Sequence, residues 1–135
     1  MGIGGILMVT VTMRQIIDFR DNIVFFNEAN LPLKGAYKLN KIRKAVEKES
    51  DFYVDKFQEI INEYAQKDED GNVIYSDDKE RIMIIDDKVD DCNTALIELQ
   101  DLEVEIDNYG LTIDDLGDNV ECTPDQLNAL MPFID

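Results

Sequence analysis

The chain has 135 residues, with 30 acidic against 13 basic side chains, a formal net charge of −17, and neither histidine nor tryptophan. Its length suits one domain with a modest core, and an apolar fraction of 44% argues for folding despite the charge. The lack of histidine excludes Ser-His-Asp and Cys-His catalysis within the chain, imidazole metal ligation and a histidine pH switch.

The opening MGIGGILMVTVTM is apolar but falls short of the roughly 20 residues that span a bilayer. It also lacks the basic stretch and small-x-small cleavage site of a leader. VTVT reads as a short strand. Residues 1–12 are therefore either that strand or an apolar N-terminal extension, with translation starting alternatively at Met8 or Met13. Residues 13–135 read as a single, mainly helical α+β domain: three helices including one long central helix, a small β-hairpin and a short capped C-terminal helix.

Thr12 can cap a first helix over about residues 13 to 29. Ile16, Ile17, Phe19, Ile23, Val24 and Phe26 make its broad apolar face. Leu31-Pro32 ends it, because the residue before proline resists the helical region. A second helix is expected from Leu33 to about Gln66. Leu39, Ile42, Val46, Tyr53, Phe57, Ile60, Ile61 and Tyr64 recur there at three- and four-residue steps. Gly35 weakens its first turn and Ser50 its middle, so a bend near Ser50 is one outcome.

KDEDGN breaks the pattern. Val73-Ile74-Tyr75 and Arg81 to Ile85 flank SDDKE and read as a β-hairpin. A third helix follows over about Asp87 to Leu102, with Val89, Cys92, Leu96, Leu99 and Leu102 on one side. Its acidic first turn suits the positive end of a helix dipole. LEVEI then alternates as the start of a strand. Leu111, Ile113 and Leu116 form a further short apolar set. In CTPDQLNALMPFID, Thr123 is an N-cap, Pro124 takes the first helical position and Gln126 completes a capping box. Leu127, Leu130 and Met131 give that helix an apolar face. No repeat or linker divides the chain.

Cys92 and Cys122 read as two reduced thiols. One falls on a predicted helix and nothing marks secretion; zinc would need about four ligands. The stretch 31–48 concentrates six of the basic residues, Lys34, Lys38, Lys41, Arg43, Lys44 and Lys48, around a single acid, Glu47. From Glu49 onward 26 acids face 5 basic residues. Two readings compete: a phosphate contact, or an internal counterweight to the acidic half. The second is favoured, because Tyr37 is the only aromatic residue among the lysines and the overall field repels DNA.

QKDEDGNVIYSD partly matches a calcium loop. Asp68, Asp70, Gly71 and Asn72 fall in place, but Gln66 stands for the first acid and Asp77 for the bidentate glutamate. A turn built on Gly71 explains it as well. DDKVDD sets Asp86 with Asp90 and Asp87 with Asp91 one helical turn apart. Such pairs hold magnesium in some proteins and decorate an ordinary helix start in others. No cofactor and no catalytic residue is expected. The acid surplus itself suggests carboxylates imitating phosphate spacing. The contact set for a protein partner is then Asp86, Asp87, Asp90, Asp91, Asp114, Asp115 and Asp118, chosen for charge density.

Several segments together resemble small uncharacterised proteins of tailed phages and prophages of Gram-positive bacteria. They are Leu31, Pro32, Lys34, Tyr37, Lys38 and Leu39; then Asp68, Gly71 and Asn72; then Thr123, Pro124, Leu127, Ala129, Leu130, Pro132 and Phe133. The likeness covers about residues 13 to 134 and leaves residues 1–12 outside. Cys122 departs from it, standing where the pattern often has leucine. The resemblance implies a phage origin and the cytoplasm of a bacterial host, and no activity. The function expected is non-catalytic binding to a host or phage protein, foremost as an acidic inhibitor of a defence or nucleic-acid-binding protein. The alternative is a virion assembly factor or minor structural component, packing through the long helix and Leu127, Leu130, Met131 and Phe133, and a homo-oligomer fits it. Direct binding of nucleic acid and membrane association are not expected.

Overall fold

The computed structural model describes residues 7–135, and the chain there is mainly helical with one small sheet. In order it forms β1 (Met8–Thr12), α1 (Met13–Glu28), α2 (Leu33–Tyr64), α3 (Val89–Gln100), β2 (Glu103–Asp107) and α4 (Pro124–Leu130). Single 3-10 turns lie at Asp86–Lys88, Asp114–Leu116 and Met131–Phe133. Contacts group the chain into two compact units, Met1–Asp51 with Glu103–Asp135, and Phe52–Leu102. The division falls inside α2 and just after Leu102, where composition marks no linker.

In the first unit β1 pairs with β2, antiparallel, with Val9 opposite Ile106 and Val11 opposite Val104. The strands are partners although three helices separate them in the chain. Val104 and Ile106 are buried while Glu103, Glu105 and Asp107 face out, the period of two that a one-sided sheet requires. Val11 is buried too, so the VTVT segment belongs to this core; residues 1–6 of the expected extension lie outside the described residues. Thr12 ends the strand and starts α1. Its hydroxyl accepts from Gln15 N–H at 3.2 Å, and the Gln15 side chain accepts from Thr12 N–H at 2.9 Å. That reciprocal box satisfies two of the four orphan donors at a helix start.

Ile16, Phe19, Ile23 and Phe26 form the buried face of α1, whereas Val24, expected among them, points to solvent. On α2 the buried positions are Gly35, Leu39, Ile42, Val46 and Ser50. The helix continues through Ser50 without a break, and the buried Ser50 hydroxyl accepts from Arg20 Nη1 at 3.0 Å. In the C-terminal segment the capping box of Thr123 and Gln126 forms, with Pro124 at the first position. α4 lies against α1, and the turn after it lies against β1. Leu130 and Phe133 are core residues. Phe133 meets the Phe19 ring nearly edge-on, centroids 4.8 Å apart at 62°. Of the apolar cluster expected to serve assembly, Met131 is exposed, at 44%, and Leu127 is half-buried. That expectation is corrected: Leu130 and Phe133 are consumed inside the unit.

The second unit joins the last turns of α2, from Phe52 to Tyr64, to α3 through a compact loop. The expected β-hairpin is reduced to a single bridge, Tyr75 to Ile82. Two more bridges, Ala65 to Ile84 and Lys67 to Val73, tie the other segments. Three extended pieces thus pair two by two in a closed triangle, each giving alternate residues to two different neighbours. No ladder can grow from such a triangle, since each residue pair is followed by a change of partner. α3 starts at Val89, after the 3-10 turn, and ends at Gln100, shorter at both ends than its apolar pattern suggests. Cys92 and Leu99 are buried, Leu96 is half-buried, and Val89 and Leu102 are exposed.

Candidate protein-contact surface

Phe52–Leu102 carries fifteen acidic against five basic residues, a net of −10 in 51 residues. Four of the predicted contact residues lie here. Asp86 and Asp87 sit in the 3-10 turn, Asp90 and Asp91 in the first turn of α3. No side chain caps either start, and acids in the first turn of α3 are favoured by the positive end of its dipole. All four are exposed. Asp91 has a cation near it, Lys88 Nζ at 3.7 Å, a surface pair of little energetic weight. The end of α2 shares the negative field: loss of solvation, then Glu63 and Asp91, push the Tyr64 hydroxyl pKa above its ordinary value.

Apolar side chains stand among these acids. Over residues 82–85 exposure alternates, with Ile82 and Ile84 half-buried and Met83 and Ile85 turned out. Ile85 is 38% exposed and Val89 42%, flanking the Asp86–Lys88 turn on both sides. Tyr75 and Ile97 are exposed as well, and the buried apolar residues of this unit are Ala65, Cys92 and Leu99. Charge density alone misses this mixture. The available signal was the unbroken apolar run Ile82 to Ile85: an extended segment turns successive side chains to opposite faces, so a small unit leaves half of them exposed.

The three other predicted contact residues belong to the first unit. Asp114 and Asp118 are exposed. Asp115 is not a free surface acid. Its Oδ2 accepts from Lys38 Nζ at 2.9 Å and from Thr112 N–H at 3.0 Å, with side-chain exposures of 19% for Lys38 and 11% for Asp115. Lys38 Nζ also donates to the Gly110 carbonyl at 2.8 Å. The Lys38 hydrogen bond first, and the Thr112 N–H second, lower the Asp115 pKa from 3.8 to about 2. Asp115 is thereby removed from the contact set and assigned to the fold.

A depressed carboxyl pKa adds stability at pH above its unfolded value, and that stability is lost as pH falls through the folded value. Asp115→Asn is therefore expected to melt below the parent protein at neutral pH. The gap should close between pH 3.8 and about 2, as a series of thermal melts would show.

Lys38 is the one member of the basic stretch so engaged. Arg43 bonds Glu47 and Asn40 on its own helix at 2.9 and 2.7 Å. Among the described residues no carboxylate pairs with Lys34, Lys41, Lys44 or Lys48. The counterweight reading thus holds for Lys38 in atomic detail and leaves four lysines facing solvent.

The residues resembling a calcium loop form a turn. Asp68 Oδ1 accepts from Asp70 N–H at 2.9 Å and Asn72 N–H at 3.0 Å, and Gly71 takes φ +85°. One carboxylate oxygen of Asp68 thus closes the turn against the backbone. A second Asx turn follows, which the sequence reading did not single out. There Asp78 accepts from the Ser76 hydroxyl and from Glu80 N–H, and both lower its pKa. Among the described residues no three acidic or thiol groups are placed to share a metal ion. Cys92 and Cys122 are both free thiols, and burial raises the Cys92 pKa, which disfavours the reactive thiolate. No helix of the described residues is long and apolar enough to cross a membrane. No family model, curated protein or solved structure matches the chain.

Proposed function

We propose that this chain is a phage-encoded, non-catalytic protein-binding protein, acting in the bacterial host as an acidic inhibitor of a basic, nucleic-acid-binding or defence protein. The observation that carries the reading is the coincidence, at one turn of Phe52–Leu102, of Asp86, Asp87, Asp90 and Asp91 with exposed Ile85 and Val89. Carboxylates in such density occupy positions that phosphates take in a basic groove. They raise the association rate and select partners of opposite sign. Apolar side chains among them supply contact area that salt does not screen, the part of an interface that holds a complex once formed. An inhibitor of this kind needs no reactive group of its own.

The test is affinity capture on the tagged chain from host lysate, followed by elution with salt and with duplex DNA. The expected result is a nucleic-acid-binding protein retained at low salt, displaced by DNA, and released steeply as ionic strength rises. Replacing Asp86, Asp87 and Asp90 together by asparagine should weaken capture at least about tenfold, the ratio that 1.4 kcal/mol represents. Failure to retain any basic protein at low salt sinks the proposal.

A further inference from the structure

The free lysines of α2 have a regular geometry. Lys34, Tyr37, Lys41, Lys44 and Lys48 follow at steps of three, four, three and four, which places them along one ridge of the helix. The ridge runs about 21 Å at 1.5 Å per residue. All five residues are exposed, and Lys41 Nζ lies 5.4 Å from the centre of the Tyr37 ring. The lysines have no carboxylate partner among the described residues. Two acids of the same unit, Asp115 and Glu47, are paired instead with Lys38 and Arg43.

A second ridge of opposite sign exists in the Phe52–Leu102 unit. Phe52, Asp55, Glu59 and Glu63 follow at steps of three, four and four. All are exposed, Phe52 at 42%. Glu59 pairs with Lys56 at 3.0 Å. Among the described residues Asp55 and Glu63 have no ion-pair partner. Both ridges are helical, carry a charge about every turn, and include one exposed aromatic residue.

We propose that the lysine ridge of α2 is a docking site for the acidic ridge Asp55, Glu59 and Glu63 of a second copy of the chain. Charge complementarity at matching helical spacing selects that occupant. Two helices present i, i+3 and i, i+4 rows to each other when they pack, so the cations of one row fall between the anions of the other. The overall charge of −17 opposes the approach of any acidic partner at long range. At about 0.1 M salt the screening length is roughly 10 Å, which weakens that repulsion more than it weakens ion pairs in contact. Glu63 adjoins the field of the Asp86–Asp91 turn, but the test uses the purified chain alone and leaves those aspartates unchanged, so it can fail without affecting the inhibitor reading.

Sedimentation velocity at about 0.1 M and about 1 M salt reads the proposal directly. The expected result is a mass of twice the 15.5 kDa chain or more at the lower salt, and one chain at the higher. Lys41→Glu with Lys44→Glu is expected to be monomeric at both, as is Asp55→Lys with Glu63→Lys. Mixing the two doubly substituted proteins should restore the larger species, because each then offers the charge that the other has lost. Unchanged circular dichroism of each variant shows that the fold is intact. A parent protein that stays monomeric at about 0.1 M salt overturns the proposal. So does a larger species that survives Lys41→Glu with Lys44→Glu, or a mixture that does not reassociate. Retention of a labelled DNA duplex by a monomeric parent, lost in the lysine variant, overturns it in favour of a phosphate ligand.

Discussion

Phe133→Ala is expected to destabilise the protein by about 3–5 kcal/mol, the range for deleting a buried aromatic ring from a packed core. The ring is 4% exposed and sits nearly edge-on to Phe19 at 4.8 Å. Such a pair contributes about 0.5–1.5 kcal/mol beyond area burial. The turn Met131–Phe133 holds the ring against α1, so truncation leaves a cavity between elements at opposite ends of the chain, where collapse is restricted. Chemical denaturation followed by circular dichroism gives the measurement. Met131→Ala, two residues away and exposed, is the control and should change stability by no more than about 0.5 kcal/mol. Equal effects of the two would show that the C-terminal turn is not part of the core. The pair also separates folding from assembly: a Phe133 contact with another protein would leave the isolated chain's stability unchanged.

Gly35→Ala is expected to destabilise by about 1–3 kcal/mol, as overpacking does, against the sign that helix propensity alone predicts. Alanine is better than glycine inside a helix by about 0.8–1.0 kcal/mol. Here, however, a Cβ at position 35 would lie 2.0 Å from the Asp115 carbonyl oxygen and 2.8 Å from its carbonyl carbon. Neither atom is the end of a flexible side chain, so the turn Asp114–Leu116 must move away from α2. That movement pulls Asp115 from Lys38 and lifts Leu116, buried at 6%. A stability curve that shifts upward in Gly35→Ala would refute the close approach. The same helix–turn contact has a second glycine. At Gly117, with φ +78°, a Cβ would meet Pro32 Cγ at 3.0 Å. The Leu31-Pro32 corner and the glycine thus fit each other across more than eighty residues of sequence.

These two sites show where local signals stop. Thr12 and Thr123 each announced a helix, because a capping box is closed by residues three apart and needs nothing else from the chain. The faces of α1 and the first half of α2 were legible for the same reason: an apolar residue every third or fourth position can only be buried on one side. The closed triangle of Ala65–Ile84, Lys67–Val73 and Tyr75–Ile82 was not. Its apolar runs look like those of a hairpin, and only the return of the end of α2 beside them makes each segment share two partners. The pairing of β1 with β2 was hidden as well. Both strands alternate, but strand pairing is a choice among distant segments, and neither sequence names its partner.

The candidate site divides in the same way. Composition alone determined that this is a folded, strongly acidic chain without histidine chemistry, and patterning determined that it is mainly helical with a capped C-terminal helix. Tertiary structure decided which charges are free. Asp115 and Lys38 lie 77 residues apart and bind one another, while Asp86, Asp87 and Asp90 on one unit and Lys34, Lys41, Lys44 and Lys48 on the other remain exposed. The physical reason is range. Helix caps and amphipathic faces depend on neighbours within a few residues, whereas the partner of a charge depends on which distant backbone the fold brings within hydrogen-bonding distance.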